Sequence, residues 1–341
     1  MNNSKSKSPT INKIGTVKRK AVRMSEEALI KVELLSENPL PLVVKPTVEG
    51  LNLADWAINN REFIDSKLSQ HGGILFRDFE VNGVTDFEHL IGSTSRDLIE
   101  SVAEQNIHNE FAYAEQNIFF HNEYSDRQIF PLKIFFFCAK PAEGGGETPI
   151  ANCHKIFQRL DPKIRERFLE KKWMLVRNYG SGFSSTWQKA FQTTDKAVVE
   201  KYCRNSNIEF EWKDNSRLKT CTVLPAILEH PKTAELLWFN QVAFFHISTL
   251  EPAIREALMA LDEEFPNNTY YGDGSEIEAS VLDEIRHCYH QETVSFTWHS
   301  KDVLMLDNLL TAHGRAPFVG KQEVFVGMSE SFNNQNCCKG A

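Results

Sequence analysis

Short apolar runs recur along the chain and predict β-strands. Each run is rich in β-branched or aromatic residues and is bounded by Gly, Pro or charged residues, a pattern typical of strands. The predicted strands are GGILFRDF (72–79), PLKIFFFCA (131–139), TPIAN (148–152), TVSFTW (293–298), DVLMLDN (302–308) and EVFVGMSE (323–330).

Three other segments place their apolar residues at helical spacing. They are DPKIRERFLEKK (161–172), EPAIREALMALDEEF (251–265) and SEIEASVLDEIRHCYH (275–290). In the first, Asp161 is the predicted N-cap and Pro162 takes the first helical position. Its residues predicted to face inward are Ile164, Phe168 and Leu169. Strands near both ends with helices inserted between them predict a mainly β fold, not alternating βα units.

The two ends of the chain differ from its body. The first 23 residues contain seven Lys and Arg residues and few apolar ones, which predicts a disordered basic arm over residues 1–34. A solvated tail is favoured there over a contact with nucleic acid or an acidic partner. Residues 35–333 contain no internal repeat or low-complexity linker and are predicted to form one domain. Residues 334–341 are predicted to be a flexible tail.

Composition narrows the class of protein. The chain has 341 residues, of which 41% are hydrophobic and 25% charged, as in a soluble enzyme. Its net charge of −8 argues against general nucleic-acid binding. No apolar run approaches the ~20 residues that span a bilayer, and no apolar signal-peptide core is present, so we expect a cytoplasmic protein without a membrane partner. Seven cysteines without a C-x-x-C pair favour reduced thiols over a disulfide framework.

Three His-x-Glu pairs are candidates for metal binding: His108/Glu110, His121/Glu123 and His290/Glu292. One or two such pairs are expected by chance in this composition, and most are surface pairs. The pair at 290 and 292 ends a predicted helix, where side chains two residues apart diverge. The pairs at 108 and 290 are therefore predicted to have no metal-binding role.

The pair His121/Glu123 has a partner far along the chain. The segment VLMLDNLLTAHGR supplies His313, 192 residues after His121. Two neutral imidazoles and one carboxylate form the facial triad that holds non-haem Fe(II) and leaves coordination positions open. A structural zinc site would close those positions and use thiolates. Residues 121 and 123 share a face only if their strand stays regular.

Several long motifs resemble one enzyme family. They are GGILFRDF, then FFHNEYSDRQIFPLKIFFFCAKPAEGGGETPIANCHKIFQRLDP, then DVLMLDNLLTAHGRAPFVG. In this order they resemble the taurine dioxygenase (TauD/TfdA) superfamily of Fe(II)- and 2-oxoglutarate-dependent oxygenases. The segments VRNYGSGFSSTWQKAFQTTDKAVVEKYC and YYGDGSEIEASVLDEI are most similar to the SyrP-like branch. The resemblance implies a double-stranded β-helix, a jelly roll of the clavaminate synthase type.

The resemblance also implies roles for single residues. His121, Glu123 and His313 match the iron triad. Thr148 matches the threonine that helps to hold the 2-oxoglutarate carboxylate near the metal, and Arg315 matches the arginine of the HGR motif.

The chain departs from the family pattern before its last strand. The family has an Arg-rich pair there, and this chain has Lys321, Gln322 and Glu323. An arginine in this region commonly anchors the remote carboxylate of 2-oxoglutarate by a bidentate contact. The candidates to replace it are Lys133, Arg315 and Lys321.

Lys133 could serve if it points into the barrel. It shares a strand face with Phe135 and Phe137, and a lysine on an apolar face is costly to bury without an anionic partner. The alternative is that Lys133 lies near the solvent end of its strand and extends its ammonium into water.

As the resemblance implies, the leading prediction is an oxygenase that uses Fe(II), 2-oxoglutarate and O2 to hydroxylate an unactivated C–H bond. The expected substrate is an amino acid or amino-acyl group, either free or tethered to a carrier protein, with a pocket formed by insertions such as 177–250. The presence of Glu123 argues against a halogenase, because in a halogenase chloride occupies the metal-coordination position that a carboxylate ligand would fill. Two alternatives remain: an iron oxygenase or desaturase that does not use 2-oxoglutarate in the usual way, and a non-catalytic jelly-roll binding protein with a vestigial metal site.

Overall fold

The computed structural model describes residues 29–35, 39–95, 98–103, 117–180, 184–213, 217–260 and 264–333, with 98–103 described by backbone alone. The strands are β1 Ile30–Leu34, β2 Leu42–Pro46, β3 Gly73–Phe76, β4 Leu98–Ala103, β5 Ile118–His121, β6 Ile129–Lys140, β7 Gly144–Gly145, β8 Ile150–Asn152, β9 Trp173–Tyr179, β10 Glu209–Trp212, β11 Leu218–Leu224, β12 Ile227–Glu229, β13 Leu236–Trp238, β14 Asn267–Tyr271, β15 Val303–Asp307, β16 Thr311–Arg315, β17 Phe318–Val319 and β18 Glu323–Asn333. The α-helices are α1 Leu53–Asn59, α2 Arg61–His71, α3 Val84–Thr94, α4 Cys153–Arg159, α5 Pro162–Lys171, α6 Trp187–Phe191, α7 Lys196–Asn205, α8 Val242–Phe245, α9 Pro252–Ala260 and α10 Ala279–Glu292.

Two facing sheets form the framework. The larger has seven strands in the order β1-β2-β3-β15-β6-β18-β4, and the smaller has three in the order β5-β16-β8. All neighbours are antiparallel except β2 and β3. Buried residues of both sheets meet in one cluster, in which Phe136 and Leu304 of the larger sheet join Ile150 of the smaller. Two packed antiparallel sheets are the jelly-roll arrangement, so the predicted mainly β fold with inserted helices is confirmed.

Strand β6 is buried on both faces. Ile134 and Phe136 lie between the two sheets. Phe135 and Phe137 face the other way, where they pack on α1, α2 and α3, and Phe137 stacks on Phe87 of α3 with ring centroids 5.4 Å apart. A strand buried on both faces has a nearly continuous apolar sequence instead of an alternating one, which explains the run IFFFCA.

The chain between β8 and β15 covers the outside of the smaller sheet. It carries α4 to α10, the hairpin β12-β13 and a four-stranded antiparallel sheet, β10-β11-β9-β14. A large apolar cluster joins this insertion to the smaller sheet, with Trp238 and Tyr289 on one side and Ala151 and Ala312 on the other. Within the described residues, no helix is both long and apolar enough to cross a membrane.

Three details differ from the sequence-based expectations. Residues 30–34, predicted as part of the disordered arm, form β1 and pair with β2. The predicted strand 293–298 is irregular apart from a bridge between Val294 and Ile150. Its Phe296 and Trp298 are buried, so the segment contributes aromatic side chains without a backbone ladder. Leu169 of α5 is 52% exposed, whereas Phe168 is buried as predicted. Residues 1–28 and 334–341 lie outside the described residues.

Lys133 lies on the outer face of β6, away from the space between the sheets. It is 3% exposed, and its neighbours on that face, Phe135 and Phe137, pack on the helices. Its Nζ donates to three oxygens: Asp65 Oδ1 at 2.8 Å, Glu330 Oε1 at 2.9 Å and the backbone oxygen of Thr94 at 2.9 Å. The prediction that Lys133 points into the barrel is therefore wrong. The strand parity was read correctly, but the face of Phe135 and Phe137 is the helix-covered one.

Lys133→Met is expected to lower the free energy of unfolding by about 1–3 kcal/mol, because two partly buried carboxylates lose their cation. Chemical denaturation measures this loss. Lys140→Met, at the exposed end of the same strand, is the control and should change stability by less than about 0.5 kcal/mol. A raised KM for 2-oxoglutarate in Lys133→Met, with unchanged stability, would contradict this assignment.

Candidate metal centre

His121, Glu123 and His313 converge in the space between the two sheets. Glu123 Oε2 lies 3.7 Å from Nε2 of His121 and 3.7 Å from Nε2 of His313, and one possible ligand atom from each residue lies within 4.8 Å of the others. Histidine nitrogens and carboxylate oxygens bind Zn²⁺ at about 2.0–2.2 Å, so two ligands of an ion of that size lie at most ~4.4 Å apart. The two distances to Glu123 are within this limit, so the three side chains fit one divalent cation, and a triad of this kind leaves coordination positions for other ligands.

Strand pairing places the two imidazoles side by side. His313 of β16 is directly opposite His121 of β5, and their ring centroids are 4.5 Å apart. Phe136 packs on the His313 ring at 5.1 Å, and Phe244 packs on the His121 ring at 4.8 Å. These aromatic rings restrict the rotation of both imidazoles and keep water from their faces.

Glu123 reaches the same place by a different route. Strand β5 ends at His121, so Glu123 lies in the turn that follows and not on a regular strand. Its backbone is held by Asn308: the Glu123 N–H donates to Asn308 Oδ1 at 2.8 Å, and Asn308 Nδ2 donates to the Glu123 carbonyl at 2.9 Å. The convergence of residues 121 and 123 thus depends on this pair of hydrogen bonds instead of strand alternation.

Asn308 is itself fully buried and fully engaged. It follows β15, and its Nδ2 also donates to the Pro131 carbonyl at 2.8 Å. Its own carbonyl accepts from Asn122 Nδ2 at 2.7 Å, and Asn308 is 0% exposed. The sequence patterns did not single out Asn308. The available signal was the polar pair Asp307-Asn308 at the end of the otherwise apolar strand β15.

The protonation of the histidines suits a cation. His121 Nδ1 lies 2.9 Å from the Phe119 carbonyl, so Nδ1 carries the proton and Nε2 offers its lone pair. Burial, and then the nearby His121, hold the pKa of His313 well below its usual value. Burial alone lowers the pKa of His121, but the hydrogen bond and charge of Glu123 outweigh it and leave that pKa raised. A metal ion would therefore take the place of a proton between His121 and Glu123.

Arg315 lies two residues after His313 on β16, and Thr148 lies two residues before the start of β8. His313 pairs with Ile150, and the register continues through the Gly314 N–H, which donates to the Pro149 carbonyl at 2.9 Å. Arg315 is therefore opposite Thr148, in a position where cross-strand side chains are close. Arg315 lies on the face of the smaller sheet that carries His313, because residues two apart on a strand share a face.

Their surroundings suit the binding of an anion. Thr148 is buried, and its hydroxyl accepts from Trp298 Nε1 at 3.2 Å. Burial lowers the pKa of Arg315, and its guanidinium lies 5.4 Å from the centre of the Phe318 ring. A carboxylate bound beside Arg315 would stabilise the charged guanidinium and so raise this pKa again.

The segment that replaces the family's Arg-rich pair is occupied by other contacts. Gln322 is buried, and its Nε2 donates to the Gly146 carbonyl at 2.7 Å. A Cβ on Gly146, which has φ +73°, would lie 2.6 Å from that Nε2, so the glycine is required there. Lys321 is mostly exposed and pairs with Glu323 at 2.9 Å. Of the three anchors considered, only Arg315 lies on the strand face of the histidines.

The other His-x-Glu pairs behave differently. His290 is exposed at the end of α10, whereas Glu292 is buried and bonds to Arg159 and Lys155. The two side chains thus diverge, as predicted. His108 and Glu110 lie outside the described residues.

The comparison with known families identifies the chain. The sequence model of the Taurine catabolism dioxygenase TauD, TfdA family matches residues 37–328. The chain belongs to the TauD/TfdA family. It is therefore an oxidoreductase of the dioxygenase class, whose cofactors are Fe(II), 2-oxoglutarate and O2.

Individual relatives agree with this assignment. The dapdiamide synthesis protein DdaC of Enterobacter agglomerans is 36% identical over 276 residues, which cover 78% of this chain and 84% of DdaC. PvcB, an Fe, alpha-ketoglutarate dependent oxygenase from an isonitrile synthetic pathway, superposes with a TM-score of 0.56 at 14% identity, covering 93% of this chain and 98% of PvcB. AAD-2, solved in complex with Mn(II) and N-oxalylglycine, superposes with a TM-score of 0.52 at 13% identity, covering 88% of this chain and 96% of AAD-2. The two structural matches support the fold.

We expect a large loss of Mn(II) and Fe(II) affinity in each of three variants, His121→Ala, Glu123→Ala and His313→Ala, because each removes one of three protein ligands. Loss of a hydrogen-bond partner of a ligand weakens metal binding roughly 10–100-fold, and loss of the ligand itself should weaken it more. Anaerobic calorimetric titration measures this. His108→Ala and His290→Ala are the controls and should bind like the wild type. Loss of metal in His108→Ala with retention in His121→Ala would show that the wrong pair was chosen.

Asn308→Ala is expected to weaken metal affinity roughly 10–100-fold with all three ligands present, because Glu123 loses the contacts that position its backbone. Asn308→Asp, which keeps the acceptor for the Glu123 N–H but loses the donor, should be intermediate. Ser125→Ala is the matched control, since Ser125 bonds to the Asn122 carbonyl in the same turn but not to Glu123. Wild-type affinity in Asn308→Ala would refute the positioning role.

Proposed function

We propose that this dioxygenase hydroxylates an unactivated C–H bond of an amino acid or amino-acyl intermediate in natural-product synthesis. The observation that carries the proposal is the cluster of two imidazoles and one carboxylate, with Arg315 on the strand of His313 and Thr148 opposite Arg315. The substrate class is supported by the 36% identity to DdaC, a dapdiamide synthesis protein.

His121 and His313 would each hold the iron through Nε2, and Glu123 would hold it through a carboxylate oxygen. Iron bound there supplies the oxidation, in which O2 and 2-oxoglutarate convert a C–H bond to C–OH while 2-oxoglutarate leaves as succinate and CO2. The protein's own contribution is to hold the three ligands in place, and Phe136 and Phe244 keep water from the imidazole faces.

Arg315 is the group that would bind the remote carboxylate of 2-oxoglutarate. Its guanidinium is partly buried, and charge-assisted contacts with carboxylates are stronger away from water. The hydroxyl of Thr148, opposite it, would donate to the same co-substrate while accepting from Trp298.

A second candidate function is an oxygenase or desaturase of this fold that does not use 2-oxoglutarate in the usual way. It is favoured by one observation, that Gln322 and Glu323 stand where the family has its Arg-rich pair. Anaerobic titration with Fe(II) and 2-oxoglutarate separates the two. A weak visible charge-transfer band marks chelation of the 2-oxo acid, and bound iron without that band favours the second candidate.

Arg315→Met is expected to raise the KM for 2-oxoglutarate by about one to two orders of magnitude, the equivalent of losing a charged contact of roughly 1.5–3 kcal/mol. Iron affinity should stay near that of the wild type. Lys321→Met, which removes an exposed cation from the same region, is the control and should leave that KM unchanged. An unchanged KM in Arg315→Met would remove Arg315 from the co-substrate site.

The reaction itself is tested by a turnover screen. Free amino acids and the same amino acids loaded on a carrier protein are incubated with the iron-loaded enzyme, 2-oxoglutarate and O2. The proposal expects a product heavier by one oxygen atom, with succinate formed in equal amount. A product that has lost two hydrogen atoms instead would indicate desaturation, and comparable kcat/KM on free and loaded substrates would remove the case for tethering.

A further inference from the structure

A cleft of about 320 Å³ lies beside the metal centre. It is bounded on one side by the turn that follows Glu123 and on the other by the four-stranded sheet of the insertion, and helices α6 and α7 close it. Its polar and aromatic lining includes Asp126, Arg127, Arg177, Tyr179, Tyr202 and Thr220. A concave site with a few convergent polar groups is the usual form of a small-molecule pocket.

The sheet presents one face to this cleft. On β9, Leu175, Arg177 and Tyr179 alternate and all line it. On β11, Thr220 lines it as well and pairs directly with Arg177. Arg177 is thus at the centre of the cleft-facing surface, on a rigid element instead of a loop.

Arg177 is held in place but has capacity left for a ligand. Its Nη2 donates to Asp126 Oδ2 at 2.7 Å, and its guanidinium lies 4.8 Å from the centre of the Phe245 ring. Burial lowers the pKa of Arg177, but the charge of Asp126 and a contact with Tyr179 outweigh it and leave that pKa raised. The side chain is 26% exposed. Because a guanidinium has five N–H donors, its exposed part can still donate to a ligand in the cleft.

The cleft and the metal centre share a wall. Phe245, which packs on Arg177, has its ring centroid 4.8 Å from that of Phe244. Phe244 in turn packs on the His121 ring, also at 4.8 Å. Asp126, the partner of Arg177, comes three residues after Glu123. The cleft is therefore next to the metal centre, with the rings of Phe245 and Phe244 between Arg177 and His121.

The charge of the lining selects the ligand. The charged residues of the lining are two arginines, Arg127 and Arg177, and one carboxylate, Asp126, which leaves an excess of one positive charge. The planar fork of an arginine matches a carboxylate. A neutral amide in the same place would leave the excess charge without a partner.

We infer that this cleft is the substrate site and that Arg177 binds a free carboxylate of the substrate, with Asp126 fixing the orientation of the guanidinium. The inference rests on the proposed function and names its substrate class as a carboxylic acid of amino-acid type. An amino acid tethered through a thioester has no α-carboxylate, so the free acid is the expected form.

The test compares acids with amides. Free and N-acylated L-amino acids, each as the acid and as the primary amide, are screened with the Fe(II)- and 2-oxoglutarate-loaded enzyme for succinate formation above the substrate-free rate. The acid that stimulates the wild type should have a kcat/KM about 10–100 times that of its amide, the ratio expected for one charge-assisted contact. Binding of that acid to enzyme loaded with Mn(II) and N-oxalylglycine, which cannot turn over, gives a second readout.

Arg177→Gln should remove most of this preference for the acid. Because it leaves Asp126 without its cation, the double variant Asp126→Asn/Arg177→Gln is tested beside it and should lose the preference as well. Arg204→Gln is the matched control, since Arg204 lies on α7 and pairs with Glu200 outside the cleft lining. It should keep the preference.

The outcomes separate this inference from the proposed function. If the wild type shows no charge-transfer band with Fe(II) and 2-oxoglutarate, or forms no succinate in the absence of substrate, the result counts against the proposed function. If both are present, an amide or a carrier-bound thioester that works as well as the acid overturns the inference alone. So does an acid preference that persists in both Arg177 variants.

Discussion

The carboxylate of the metal centre is held in place by a side chain 185 residues away. His121 and His313 are fixed by direct strand pairing, but Glu123 lies past the end of its strand and has no such support. Asn308 replaces the missing pairing by bonding both the N–H and the carbonyl of Glu123. An asparagine side chain offers a donor and an acceptor like a peptide group, so it extends the sheet by one residue where the backbone has turned away. The buried amide is satisfied on every side, and such a fully bonded polar group gives the turn a single conformation.

The charged groups on the outer face of the larger sheet and those around the metal centre lie in different environments. On the outer face Lys133 is neutralised by Asp65 and Glu330, and this pairing joins β6, β18 and α2. Near the metal centre, burial lowers the pKa of Arg315, and the guanidinium of Arg177 bonds to Asp126 while its side chain stays 26% exposed. Partly buried guanidinium groups bind carboxylates strongly, as expected of an enzyme whose co-substrate is a dicarboxylate.

The sequence predicted the framework better than the insertion, for a physical reason. Strands such as β6 and β15 are buried on both faces, so their apolar runs are unmistakable. Strands β9 to β14 are short and partly exposed, and polar and apolar residues mix in them as they do in loops. The segment 293–298 was predicted as a strand because it is rich in β-branched and aromatic residues. Its Phe296 and Trp298 are buried, but burial does not require a backbone ladder. The sequence also could not tell which face of β6 lies between the sheets. Strand alternation groups Lys133 with Phe135, but only the helices packed on Phe135 show that this face points away from the metal centre. Asn308 could not be told from an ordinary turn residue without its contacts.

The most direct test of this account is an anaerobic crystal structure of the enzyme with Fe(II) or Mn(II) bound. The account predicts one ion bound by Nε2 of His121, Nε2 of His313 and a carboxylate oxygen of Glu123. It also predicts that both Asn308 contacts to the Glu123 backbone keep their present lengths of 2.8 and 2.9 Å, because the turn is already in its binding conformation. An ion bound elsewhere, or a Glu123 turn that leaves Asn308 in order to reach the metal, would contradict it.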